Sequence, residues 1–341
     1  MSRDAVACDV PSADPFGERQ PPLLHQQAQV LGGQFHFETD SPELLEIVRH
    51  AYQNLPAHTF SHPPPRFTVR LFLTPSACTN VAASEPPQMR PLAGNDILCG
   101  ALDESSCAII DPLRQSALLV VSERMLPFPY HVRYELIEFA VYTLAARAQG
   151  LIPLHAACIG RSGCGILLMG PSGAGKSTVT LQCVLRGLEF LAEDSVLVQP
   201  ENLLATGLAS FLHLRHDSLR FLTNPVQAAS IANSPVIQRR SGVEKLEIDL
   251  RGPSYALAPS PLCTIAVVFL SNDIAPGKSL LVPVHREALA SRLAENQRYA
   301  ANQPGWSAFE RALTLLPAFE LRRGDHPLEA AEVLSELLES A

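Results

Sequence analysis

Apolar positions along this chain change rhythm from one half to the other. Residues 1–33 are polar, rich in proline and glutamine and without a period, the texture of a flexible N-terminal arm. From Gln34 to Thr39 apolar and polar positions alternate as in a half-buried strand. Asp40-Ser41-Pro42-Glu43 then offers an N-cap and a proline suited to the first helical turn, so a helix is expected to about Leu55. Strands are expected over Arg66 to Leu73, after the cluster Pro63-Pro64-Pro65, and over Cys107 to Asp111 and Ala117 to Ser122. Tyr134, Ile137, Val141 and Leu144 recur at helical spacing, which predicts an amphipathic helix from Pro129 to Gln149, closed by Gly150.

After Gly150 the pattern becomes short apolar runs bounded by glycine, the signature of buried strands. Leu154 to Ile159, Gly165 to Met169, Val196 to Val198, Leu246 to Leu250 and Thr264 to Leu270 suggest one sheet, with helices over His285 to Tyr299 and Pro327 to Leu338. The expectation is an α/β protein: an arm (1–33), a smaller N-terminal α+β domain with a linking helix (34–150), and a larger domain (151–341). No internal repeat or low-complexity tract interrupts it.

Composition narrows the function. Hydrophobic residues make 47% and charged residues 18% of the chain, the balance of a globular protein with a sizeable core. A formal net charge of −8 argues against a nucleic-acid or anionic-lipid partner. The apolar runs fall short of the ~20 residues that cross a bilayer, and the polar start does not resemble a signal peptide. The eight cysteines form no Cys-x-x-Cys pair and read as reduced thiols of a cytoplasmic protein.

Gly170-Pro171-Ser172-Gly173-Ala174-Gly175-Lys176-Ser177 matches G-x-x-x-x-G-K-[ST], between an apolar strand and a helical stretch from Lys176 to Arg186 that stops at Gly187. Glycines let successive N–H groups turn inward, and the helix dipole adds to their attraction for phosphate. Gly170, Ser172, Gly173, Ala174, Gly175 and Thr178 are therefore candidate nucleotide-loop residues. Lys176 is expected along the β- and γ-phosphates, and Ser177 on magnesium. The apolar strand after Gly187 ends at Glu193-Asp194. One carboxylate can hold the metal shell while the other accepts the proton of an attacking hydroxyl, and the sequence leaves open which does which. His155 lies fifteen residues before Gly170 in an apolar strand, where a hydrogen-bonded core histidine is the ordinary reading.

The order and spacing of His155, the loop Gly170 to Ser177, Arg186-Gly187 and Ala192-Glu193-Asp194 resemble the kinase domain of HPr kinase/phosphorylase and its relatives over about forty residues, Leu154 to Val198. The resemblance implies the kinase core shared with phosphoenolpyruvate carboxykinase, ATP and magnesium (Mg2+) as cofactors, and a protein or peptide acceptor with a serine hydroxyl. It assigns catalytic roles to Glu193, Asp194 and His155, with Ser177, Glu193 and Asp194 near the metal. Glu193 stands where the bifunctional enzymes have Asp. The stretch Leu246 to Gly252 only faintly echoes their glycine-rich signature, so phosphorylase activity does not follow. Glu244 to Leu250 and Pro153 to Ala157 look more like kinase-only relatives, some of which phosphorylate peptide precursors. On that analogy Arg215 and Lys245 become candidate phosphate or acceptor contacts.

No Leu-Ser-Gly-Gly-Gln signature follows, as a transporter ATPase needs, and no Asn-Lys-x-Asp, as a GTPase needs. The rival readings are a kinase of a small hydroxylated metabolite and a non-catalytic ATP-binding regulatory module; a homo-oligomer is compatible with all of them.

Overall fold

The computed structural model describes residues 23–75, 86, 90–94, 97–102, 106–275 and 279–340. The part of the expected arm spanning residues 1–22 lies outside the described residues. The rest of that arm is ordered, contrary to expectation: β1 (Leu24–Val30) turns at Leu31-Gly32 into β2 (Gly33–Thr39). Alternation in β1 is partial, with glutamines on both faces, because it is an edge strand; its inward Ala28 and Val30 are nonetheless buried.

α1 (Pro42–Tyr52) follows, capped by Ser41, whose hydroxyl accepts the Leu44 N–H at 3.2 Å. It stops short of Leu55, where Asn54 takes a left-handed φ of 59°. β3 (Arg66–Thr74), β4 (Arg90–Gly94), β5 (Ile97–Ala101), β6 (Cys107–Asp111) and β7 (Ser116–Ser122) complete a seven-stranded mixed sheet in the order β1-β2-β3-β7-β6-β5-β4.

The segment expected as one α-helix is helical but not uniform: α2 (Pro129–His131), a π-helical stretch Val132–Glu138, then α3 (Phe139–Gln149) closed by Gly150 at φ 64°. Side-chain period barely separates a π turn from an α turn, so the sequence carried no sign of it. The widened turn buries Arg133 and Glu135 beside Leu136 and Ile137, and the segment packs with α1 and the seven-stranded sheet in one core.

The expected strand Leu154 to Ile159 is two strands. β8 (Ile152–Leu154) pairs with β12, whereas β9 (Ala157–Arg161) pairs with β10 and β11, and the chain changes partner at His155-Ala156. The nine-stranded mixed sheet continues with β10 (Cys164–Met169), β11 (Glu189–Ala192), β12 (Val196–Val198), β13 (Leu204–Gly207), β17 (Leu262–Ile274), β18 (Leu281–Pro283) and β19 (Ala318–Arg323). α6 (Arg286–Asn296) and α7 (Trp306–Leu313) pack on one face; α4 (Lys176–Leu185) and α8 (Pro327–Glu339) pack on the other.

The single sheet expected for the second half is also divided. β14 (Phe211–Leu214), β15 (Val236–Gln238) and β16 (Glu244–Asp249) form a separate antiparallel sheet in the order β14-β16-β15, with α5 (Pro225–Ala232) beside it. An apolar run reports burial, not its strand partner. α4 is buried from two sides: Val179 and Cys183 face the large sheet, Leu181 and Val184 the small one. Among the described residues no helix is long and apolar enough to cross a membrane.

Candidate active site

β10 delivers the chain to Gly170, and the loop from Gly170 to Gly175 leads into α4. Gly173 and Gly175 have φ of 84° and 99°, a region that strains any residue with a Cβ. Gly175 supplies no side-chain cap, so the first-turn amides of α4 open into a cleft of about 740 Å³. Ser172, Ala174, Lys176, Ser177 and Thr178 line this cleft, as do His155, Asp194, Arg215 and Lys245. Candidates scattered over ninety residues of sequence thus share one cavity.

The bend between β8 and β9 is held by Gln297, whose carbonyl accepts the His155 N–H at 2.8 Å and whose amide donates to the His155 carbonyl at 3.0 Å. That bend turns the imidazole to the cleft. Its Nδ1 lies 3.1 Å from the Asp194 carbonyl oxygen and its Nε2 3.1 Å from Lys176 Nζ, which also donates to the Gly170 carbonyl at 3.0 Å. One tautomer satisfies both: Nδ1–H donates to the carbonyl, and bare Nε2 accepts from the ammonium. Partial burial and the Lys176 charge push the His155 pKa down, which keeps the ring neutral. Burial likewise lowers the Lys176 pKa. His155 therefore positions the lysine.

The two carboxylates diverge. Glu193 is 4% exposed. It accepts the Ser177 hydroxyl on one oxygen and the backbone N–H of His213, at 2.8 Å, on the other. Asp194 lines the cleft, with Oδ2 3.0 Å from Arg239 Nη2. Ligand atoms of Glu193, Asp194 and His213 lie within 4.8 Å of one another, an arrangement that could hold a cation next to the Ser177 hydroxyl.

Sequence reasoning missed what surrounds Glu193. His213 on β14 stands opposite Glu247 on β16 in register. Its imidazole lies between two carboxylates, 3.3 Å from Glu193 and 3.0 Å from Glu247. Burial would push the His213 pKa down, but bonds and charge from those carboxylates outweigh it and hold it up. Burial would raise the Glu193 pKa; His213, Lys245 and Ser177 together hold it below the usual carboxylate range. Glu247 is also held low, against burial, by His213, His50 and Arg133.

Arg133 comes from the π-helical stretch. Only 3% exposed, it donates through both terminal nitrogens to Glu247, lies with Nε 3.2 Å from Glu138, and stacks 4.3 Å over the Phe211 ring. The N-terminal half therefore reaches into the site through a largely buried chain of ion pairs and hydrogen bonds: Ser177, Glu193, His213, Glu247, Arg133, Glu138. The same helical segment contributes Tyr130 and Tyr134, stacked at 5.5 Å, to the cleft wall, with Arg239 5.1 Å from the Tyr134 ring. Glu135 accepts Arg240 on both oxygens. The one sequence signal for any of this was a histidine inside the apolar run Phe211 to Leu214.

Arg215 is exposed, with its nearest carboxylate, Asp217, at 3.9 Å. The Lys245 side chain makes no hydrogen bond or ion pair among the described residues, and its charge acts on Glu193 and Lys176.

No family model and no curated protein matches the chain. Among solved structures, it is similar to the Hpr(Ser) kinase/phosphatase from Coxiella burnetii at 14% identity and a TM-score of 0.31, over 55% of this chain and 99% of that one.

Proposed function

We propose that this chain is an ATP- and magnesium-dependent phosphotransferase that moves the γ-phosphate to an acceptor hydroxyl, a serine of a protein or peptide. The observation that carries the reading is the junction of Ser177 and Glu193: the residue after the loop lysine gives its hydroxyl to a carboxylate that His213, Lys245 and Ser177 keep charged against the effect of burial. Hard cations take oxygen ligands of this kind. Ser177 and Glu193 are the residues that would hold magnesium, which when bound offsets the negative charge that gathers on the transferring phosphate.

The chain's own groups divide the remaining work. The α4 amides and Lys176 grip the phosphates, with His155 fixing the ammonium. Asp194, the carboxylate on the cleft wall, takes the acceptor proton once Arg239 has given way, and Arg239, Arg215 and Lys245 offer positive charge for the phosphate or the acceptor. The tyrosine pair and Arg239 form the wall nearest Asp194, where an acceptor must enter. Phe221 and His326, which line the cleft with their rings edge to face, suit the nucleoside.

The test is transfer of labelled γ-phosphate from ATP to serine peptides, proteins or a small-molecule extract. Asp194→Asn should lower turnover by about 10²–10⁴ with little change in ATP affinity. Glu193→Gln should chiefly raise the magnesium requirement. Label found only in the small-molecule pool would replace the peptide acceptor by a metabolite. ATP binding without transfer to any pool would leave a regulatory module.

A further inference from the structure

We propose that His25, His36 and Glu38 form a binding site for a divalent transition cation, zinc by preference, on the solvent face of the β1–β2 hairpin. None of the three lines the cleft, and the phosphotransfer reading does not use them.

The placement follows from strand register. β2 alternates strictly, with Phe35, Phe37 and Thr39 buried and His36 and Glu38 on the other face. His25 is paired with Glu38 across the antiparallel hairpin, so it shares that outward face, and His36 lies two residues along the same strand. On the far side Glu38 is paired with Arg70 of β3, which donates from Nε to Oε2 at 2.8 Å. The arginine fixes the carboxylate through one oxygen and leaves Oε1 turned to the histidines, the way an outer partner orients a metal-ligating carboxylate.

The distances suit a metal better than a hydrogen bond. His36 Nε2 lies 3.4 Å from Glu38 Oε1, beyond the range of a good hydrogen bond. Two ligands of a tetrahedral ion with bonds of about 2.05 Å stand about 3.3 Å apart. One ligand atom from each of the three residues falls within 4.8 Å of the others, and the His25 and His36 ring centroids stand 5.1 Å apart. Two imidazoles and one carboxylate, with water in the fourth position, make a donor set for zinc; magnesium and calcium prefer all-oxygen shells. Bound there, the ion would tie edge strand β1 to β2 by side-chain bonds in addition to its ladder.

The experiment is calorimetric titration of untagged, chelator-stripped full-length protein with zinc chloride, with and without excess magnesium. One equivalent should bind at micromolar zinc or tighter, undisturbed by magnesium, and the thermal midpoint should rise. His25→Ala, His36→Ala and Glu38→Gln should each weaken binding by about tenfold or more. Glu193→Gln should keep it. Because these side chains lie on the outer face of the hairpin, the zinc-free variants should melt with the parent. X-ray absorption of the zinc-loaded parent gives a reading that no variant can blur: nitrogen and oxygen neighbours with imidazole scattering are expected. A sulfur shell, an equivalent that survives both histidine changes, or no binding at sub-millimolar zinc would overturn the proposal.

Discussion

Arg133→Met tests the buried charge chain that ties the two halves of the molecule together. Methionine keeps an unbranched stem of similar length beside Phe211 and removes only the guanidinium. Arg133 is 3% exposed and its partners Glu247 and Glu138 are 7% and 13% exposed, so the variant leaves carboxylates out of water. Glu247 keeps His213 at 3.0 Å; among the described residues Glu138 has no other ion pair. Stranding one partner of a buried pair typically costs about 3–5 kcal/mol. At about 2 °C per kcal/mol for a chain of this size class, the midpoint should fall by about 6–10 °C.

The loss should also depend on pH. Burial already holds the Glu138 pKa above its usual value, despite the opposing pull of Arg133. Without the arginine it rises further. A carboxyl whose folded pKa is raised penalises the fold as pH climbs through the gap, and not at all below its unfolded value of about 4.3. The deficit of the variant should therefore be smaller near pH 5 than near pH 8. Adding Glu138→Gln should recover part of it, giving a coupling that denaturant titration of the double-mutant cycle can measure. A single-variant loss under about 1 kcal/mol, or a deficit independent of pH, would show that water reaches these groups and the chain of charges is not buried.

Two further outcomes follow from the site. With Mg-ATP at a hundredfold excess over its dissociation constant the parent should gain about 2.7 kcal/mol, and Lys176→Ala should lose most of that shift; an equal response would place phosphate binding elsewhere. His213 contributes stability below about pH 6.5 and loses it as pH rises through its raised pKa, whereas Glu193 and Glu247 contribute above about 4.3 and lose it as pH falls. The thermal midpoint should peak between these values, and His213→Gln should flatten the alkaline limb; an unchanged limb would assign it to other groups.

What the sequence by itself determined is local. The loop from Gly170 to Gly175 was legible because positive φ at Gly173 and Gly175 is a demand on single residues, and β10 and α4 flank it directly. β2, β3, β6, β7 and α8 were legible from their period, which reports only which side is dry. Tertiary structure decided which groups meet. Glu193 and Asp194 are neighbours in the chain, yet one turns in to Ser177 and His213 and the other out to the cleft and Arg239. His213 and Glu247 meet through the register of β14 against β16, and Arg133 arrives through a π turn in a segment that reads as plain helix. Those pairings depend on strand order, backbone bend and the removal of water from charges far apart in sequence. Residue type and spacing within a window carry none of these.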